Sequence, residues 1–473
     1  MAASRPPTHL PTENRYHRPQ GISPLGVIVV NDKNDAPATE PTPRDSGWVR
    51  WYVLLVMVGV YSLSIADRYV LSTLLEPIRL ELQLTDSGIA TLSGTALAIF
   101  YVLFGFPLSW LIDRYSRRNI IAVSVIVWSA MTTATGLAHN YWQLLVSRIG
   151  VGVGEAGGTP GASSILSDYF PAAQRPMALT VFALGAPIGS WLAADFAGQI
   201  ADAYGWRQVF LWLGIPGILF GLLIFLTVRE PKRGQLDLNS KERAPSFMET
   251  LKYLLQQRSA VHVMIASALT ALWGWGLMFW TPAFLMRNFG LSVGEAGALV
   301  APMNLYGGIF ATLLTAWLVA RPSFADPRRT VWLMGAVIGI ATVASWFIYT
   351  SGSLDQIRML FWIFIPAIYF YIGPCFGLLN NLAEPRMRAM FCAWTLFLAN
   401  VGNLIIAPQL IGLLSDQYAA GGMDNAQSLR TAMLWLVPTG LWATFHYFWA
   451  ARQIVADQTR ATGINPLAEV RSS

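Results

Sequence analysis

The chain runs to 473 residues, of which 54% are hydrophobic and 12% charged. Water-soluble domains carry roughly 25% charged residues, so the polar surface here is too small for a soluble fold of this size. The net charge of +6 fits basic loops held on one side of a membrane. It does not fit a nucleic-acid surface, because no basic segment is interleaved with stacking aromatics in a soluble domain. Cys375 and Cys392 both fall in apolar runs and give neither a disulfide framework nor metal spacing, and the five histidines are scattered. No metal, cofactor or nucleic acid is expected.

Residues 1–48 are polar and rich in Pro, Asn and Asp. Their longest apolar run, Val27–Val30, is too short for the ~7–15-residue core of a cleavable signal. They read as a disordered cytoplasmic N-terminal tail. From Trp51 onward, apolar runs of ~20 residues, the length that spans a bilayer, follow one another. Six lie near 49–75, 86–111, 118–138, 142–167, 176–201 and 207–228. A polar stretch, 229–258, carries Arg229, Lys232, Arg233, Lys241, Arg243 and Lys252 and reads as a cytoplasmic middle loop. Six more runs follow near 260–285, 293–320, 330–350, 357–383, 388–414 and 428–450, and 451–473 reads as a cytoplasmic C-terminal tail. The expected fold is an all-α integral membrane protein with 12 transmembrane helices, in six-helix bundles over 49–228 and 259–450.

Alternate connections carry Arg114, Arg117 and Arg118; Arg175; the 229–258 stretch; Arg321, Arg328 and Arg329; and Arg386 and Arg388. The intervening loops carry Asp86, His139, Asp202, Asp355 and Asp424 and few basic residues. The excess of basic residues in cytoplasmic loops therefore places both termini in the cytoplasm. An internal repeat relates the halves. Ser109-Trp110-Leu111-Ile112-Asp113-Arg114 returns as Ala316-Trp317-Leu318-Val319-Ala320-Arg321. Gly198-Gln199-Ile200-Ala201-Asp202-Ala203-Tyr204 returns as Gly412-Leu413-Leu414-Ser415-Asp416-Gln417-Tyr418, and Ala186-Pro187 as Ala407-Pro408. Two pseudo-symmetric halves about an axis along the membrane normal place a substrate site between them, near the midplane.

Asp113-Arg114-Tyr115-Ser116-Arg117-Arg118 resembles the signature between the second and third helices of the major facilitator superfamily, with Ser109 and Ser116 standing where that signature has Gly. Arg148 followed by Gly152 resembles a second signature, and Gly185-Ala186-Pro187-Ile188-Gly189 the glycine-proline signature associated with antiporters, with Ala186 as a departure. Ala66-Asp67-Arg68-Tyr69, Val151-Gly152-Val153-Gly154-Glu155-Ala156 and Asp168-Tyr169-Phe170-Pro171 resemble the Spinster subfamily, over about residues 50–450. That resemblance implies a secondary transporter; eukaryotic members move sphingosine-1-phosphate and lysophospholipids. Short loops and the lack of sorting signals suggest a bacterial member in the inner membrane. The resemblance also implies that Asp113 and Arg114 form a cytoplasmic gate. Ala320 replaces the acid in the second half, and Arg117 and Arg118 are given a topological role alone.

Ionisable residues inside a spanning helix cost roughly 2.5–3.5 kcal/mol at its centre and are few here. At 1.5 Å per residue, Asp67 lies ~21 Å into the first helix, and Arg148 and Glu155 ~9 and ~20 Å into the fourth. Arg148 and Glu155 are nearly two turns apart on one face, while Asp67 and Arg68 diverge by ~100°. The expected network has Arg148 reaching Asp67 and Arg68 reaching Glu155. It is read as a proton-coupling or substrate site, with Asp67 the favoured titrating group, against a permanent lock between the two helices. Asp195 reads as an interfacial residue. The second half offers aromatics and amides instead. Trp280, Tyr306, Asn304, Tyr369, Asn380 and Asn400 are candidate cavity-lining residues, against anchoring at the interface or bonding to a neighbouring helix. Gly150 to Gly161 permit close helix approach, and Pro160 and Pro187 are expected kinks.

The chain is therefore expected to be no enzyme. It is expected to move a small amphipathic, lysolipid-like molecule by alternating access, coupled to protons, as a monomer in the lipid bilayer. The alternatives are a carrier of small organic anions, with Arg68 or Arg148 as the clamp, and an uncoupled lipid scramblase or conduit.

Overall fold

The computed structural model describes residues 47–171, 174–231, 246–384 and 387–463. All but the end of the expected N-terminal tail, the middle-loop residues Lys232, Arg233, Lys241 and Arg243, Arg386 and the last ten residues lie outside the described residues. Regular structure among the described residues is helical throughout.

Among the described residues, ten helices are long and apolar enough to cross a membrane. They are α1 (Gly47–Thr73), α3 (Asp86–Ile112), α4 (Arg117–Gly136), α7 (Met177–Tyr204), α8 (Trp206–Thr227), α10 (Arg258–Phe289), α11 (Val293–Val319), α12 (Pro327–Thr350), α13 (Leu354–Leu382) and α14 (Met390–Ala420). A short α2 (Leu75–Glu81) follows α1, and α9 (Phe247–Gln256) lies in the expected middle loop. The other two expected spans are each broken in two: α5 (Tyr141–Glu155) with α6 (Gly158–Tyr169), and α15 (Asn425–Leu434) with α16 (Val437–Ala450). The last helix among the described residues, α17, spans Ile454–Thr462.

Proline explains the breaks. Its ring clashes with the carbonyl four residues back and it donates no hydrogen bond. Pro160 sets this point at Ala156, where α5 gives way to α6; Pro438 sets it at Leu434, where α15 ends. Pro187 likewise sets it at Ala183, just before the local turn at Leu184 within α7. The helix starts carry local caps. Asn140 accepts from the Gln143 N–H, and Ser292 and Ser246 form reciprocal caps with Glu295 and Glu249.

The end of the bundle where α1 begins is called proximal here, and the opposite end distal. The buried core divides accordingly. One cluster is confined to the proximal part of the first half, around Val53, Met57, Trp128, Ile165 and Phe170. The other runs without interruption from the distal part of the first half through the second. The halves are thus fused distally and separate proximally.

Candidate functional site

All four residues expected of the ion network come together between α1 and α5. Arg68 donates from Nε to Glu155 Oε2 at 2.6 Å, with the Glu155 side chain fully buried. The Arg68 guanidinium also lies over the Tyr101 ring at 4.6 Å. The second expected pair takes a different form. Arg148 donates from Nη2 to the main-chain carbonyl of Asp67 at 3.2 Å, while the Asp67 carboxylate accepts from the Thr132 hydroxyl at 2.7 Å. The carboxylate is drawn toward α4, so Arg148 meets the backbone of its partner. Arg148 is wholly buried, and its Nε and Nη1, together with Glu155 Oε1, have no hydrogen-bond partner among the described residues. A guanidinium with unused donors in a low-dielectric setting is ready for an anionic group.

The aromatic side assembles next to this network. Tyr69 on α1 lies 5.2 Å from Trp275 on α10, and Trp275 lies 5.2 Å from Tyr369 on α13. Tyr369 donates its hydroxyl to Asn304 Oδ1 at 3.0 Å. Tyr69, Trp275 and Asn304, with Ser72, Thr73 and Ser190, line a cavity of about 20 Å³ between the halves, room for about one water. The other expected lining residues are dispersed. Trp280 is fully buried and donates its indole N–H to the Pro408 carbonyl at 3.3 Å, a packing role. Tyr306 is 65% exposed, along one row with Phe310 and Leu313. Asn380 is half-buried and accepts from the Cys392 thiol at 3.4 Å, and Asn400 is half-buried on α14. Asp195 accepts from the Gln199 amide at 2.9 Å.

The distal end is closed by the internal repeat. Asp416 at the end of α14 accepts from the backbone N–H groups of Asp86 and Ser87, each at 2.9 Å, and so caps α3 of the other half. Asp202 at the end of α7 accepts from the Gly294 N–H at 2.9 Å and the Ser292 hydroxyl at 2.5 Å, at the start of α11. A carboxylate at a helix N-terminus satisfies free donors and the positive end of the dipole. The repeated glycines allow the approach. A Cβ on Gly412 would stand 2.8 Å from the Asp86 carbonyl oxygen, and one on Gly198 would stand 2.9 Å from that of Val293. Arg287 on α10 grips both Asp86 oxygens at 2.8 and 2.7 Å and donates from Nε to Glu76 at 2.8 Å. Each of the four interface helices also carries one wide π-helical turn: Thr91–Thr95, Leu192–Phe196, Met303–Gly307 and Val401–Ile406. Such turns cluster at functional sites.

At the proximal end, Arg114 is exposed and stacks on Trp110 at 4.0 Å, and its repeat copy Arg321 stacks on Trp317 at 3.6 Å. The side chain of Asp113 lies outside the described residues. Arg117 carries more than the topological role expected of it. It is buried, pairs with Asp168 at 2.5 Å and Glu230 at 2.8 Å, and donates to the Pro231 carbonyl at 3.1 Å. This ties α4, α6 and the segment that follows α8 together within the first half. Sequence reading missed this triad because Asp168 and Glu230 are far apart in the chain. It also missed the capping by Asp202 and Asp416, although the repeat that carries it was legible.

Residues 57–420 match the Major Facilitator Superfamily. The chain is 28% identical over 395 residues, 82% of its length and 89% of the relative's, to an MFS-type efflux pump of Mycolicibacterium smegmatis. It is 30% identical to protein spinster homolog 3 of Danio rerio, over 80% of each chain. It is also 27% identical to a probable galactarate/D-glucarate transporter of Bacillus subtilis, over 68% of this chain and 78% of that one. Among solved structures it is similar to a bacterial homologue of the human lysosomal transporter Spinster, in an inward-facing and unoccupied conformation. That likeness has a TM-score of 0.77 and 29% identity, and covers 87% of this chain and 99% of that one. The broken fourth helix with its buried ion network, the repeat-built closure and these likenesses agree: the chain is a transporter of the major facilitator superfamily and belongs to its Spinster branch.

Proposed function

We propose that the chain is a proton-coupled secondary transporter that moves an amphipathic, lysolipid-like molecule by alternating access. It works as a monomer in a bacterial inner membrane, with the proximal end and both termini in the cytoplasm. The distal closure and the separated proximal cores then correspond to a path open to the cytoplasm.

The observation that carries this reading is the half-satisfied network between α1 and α5. Arg68 and Glu155 are paired, whereas Arg148 holds two unused donors beside Asp67 and the Asp67 carboxylate rests on a neutral hydroxyl. A network with two arrangements suits coupling. In one, Asp67 is ionised and meets Arg148; in the other, Asp67 holds a proton and Arg148 is released toward the path. The row Tyr69, Trp275 and Tyr369 supplies an aromatic wall beside these charges, which suits a ligand with a polar head and an apolar body. A relative named as a sphingosine-1-phosphate transporter, SPNS2 of Danio rerio, 26% identical over 412 residues, supports the substrate class. Asp113 and Arg114 keep their proposed role as the cytoplasmic gate, engaged when the proximal ends close.

The test uses purified protein in liposomes, wild type beside Asp67→Asn, with a pH gradient and a labelled lysolipid. Wild type is expected to accumulate the label only with the gradient, and Asp67→Asn to abolish accumulation while keeping exchange at equilibrium. Movement indifferent to both the gradient and the mutation would replace the proposal with a passive conduit.

A second reading, uptake or export of a small organic anion, is favoured by the unused Nε and Nη1 of Arg148 and by the sugar-acid transporters among the relatives. It predicts that a labelled dicarboxylate moves, that lysolipid does not, and that Arg148→Gln removes the activity.

A further inference from the structure

On the outside of the second half, away from the path between the halves, α11 and α13 enclose a groove of about 520 Å³. Helix α11 meets the other half through Gly294 and Gly297, where a Cβ would clash with Asp202 and Ala194. The groove uses a different face of the same helix, about a quarter turn round. Its mouth lies at the distal ends of both helices and carries Glu295 on one wall and Arg358 on the other. These charges are opposite in sign but form no ion pair with each other or with any other described residue. Glu295 Oε2 accepts from the Ser292 N–H at 2.8 Å, which leaves Oε1 for a ligand. Below the mouth the lining is apolar: Leu299, Met303 and Trp362. At 1.5 Å per residue, Trp362 lies ~6 Å and Met303 ~12 Å deeper than the charges on their own helices. Trp362 is 47% exposed, and amphipathic rings of this kind sit at headgroup level.

We propose that this groove binds one phospholipid of the distal leaflet with a zwitterionic amine–phosphate head. The phosphate meets Arg358, the ammonium meets Glu295, and an acyl chain runs inward over Leu299 and Met303. Separated charges of opposite sign on facing walls match the dipole of such a head. A singly anionic head would leave Glu295 opposed to it, and a neutral diacylglycerol would use neither charge. The volume lies within the range of specific small-molecule pockets. The groove lies outside the ion network, so this site stands whether or not the transport proposal does.

The experiment is native mass spectrometry of the full chain released from mixed phosphatidylethanolamine, phosphatidylglycerol and diacylglycerol micelles. Wild type is expected to retain one phosphatidylethanolamine in preference to the others. Arg358→Gln and Glu295→Gln are each expected to lower that preference about fivefold, a factor typical of losing one exposed charge contact. Gln keeps the reciprocal cap with Ser292, so Glu295→Gln tests binding and leaves the helix start intact. Ala298→Trp, at an exposed position that lines the groove, is expected to remove the retained lipid at an unchanged melting temperature. Equal retention of all three lipids, or retention that all three variants leave unaltered, would mean ordinary boundary lipid and overturn the site. Preferred phosphatidylglycerol that depends on Arg358 alone would overturn the zwitterionic assignment.

Discussion

Arg68→Gln is expected to cost about 3–5 kcal/mol of stability, the usual loss when one member of a buried ion pair is removed. Glu155 is left with its charge in a fully buried position, and its Oε1 already has no hydrogen-bond partner among the described residues. The Tyr101 ring loses the cation that lies over it at 4.6 Å. The double variant Arg68→Gln, Glu155→Gln is expected to recover most of the loss, because two amides of similar shape bond each other without a charge to bury. Thermal unfolding in detergent micelles reads both. If the double variant melts as low as the single one, the cost lies in Arg68 packing and the ion pair is not the cause. Transport separates this structural effect from coupling: the double variant folds, yet is expected to lose gradient-driven accumulation.

Removing both repeat-derived caps, Asp202→Ala with Asp416→Ala, is expected to shift the molecule toward opening at its distal end. Loss of a helix cap costs about 1 kcal/mol, and the two sites lie on separate helix pairs, so the effects add to about 2 kcal/mol, or roughly thirtyfold in the population ratio. Both caps cross from one half to the other. They therefore stabilise only the state in which the distal ends meet, which is the condition for shifting an equilibrium. Spin labels at His139 and Gly352, exposed in distal loops of opposite halves, should report a longer distance. The Asp→Asn pair is the control, since Asn caps a helix about as well as Asp. An unchanged distance in the alanine pair would assign the closure to Arg287 and its carboxylates, which remain in place.

Much of this was legible in the amino-acid order because lipid enforces a simple code. Every backbone polar group must be satisfied within the helix, so apolar runs of the right length read directly as spans. The same scarcity made Asp67, Arg68, Arg148 and Glu155 conspicuous, and helical spacing alone placed them at levels where they could meet. Prolines foretold where the fourth helix breaks. The repeat, too, was visible before any geometry.

Tertiary structure decided how these parts are used. Spacing along a helix gives a level and a face but no rotamer, so only packing turned the Asp67 carboxylate to Thr132 and left Arg148 on its main-chain carbonyl. Pairings across hundreds of residues, such as Asp416 with the start of α3 or Arg117 with Asp168 and Glu230, depend on which helix ends are neighbours. No local pattern encodes that. An aromatic or amide in an apolar run is equally suited to packing, to lipid or to a cavity. That is why Tyr369 and Asn304 meet at the centre, while Trp280 is locked in the core and Tyr306 is exposed. The chain order determined a membrane fold and its costly charges; the contacts between its halves determined which end is closed, and the packing of α1, α4 and α5 within the first half determined which of those charges are paired.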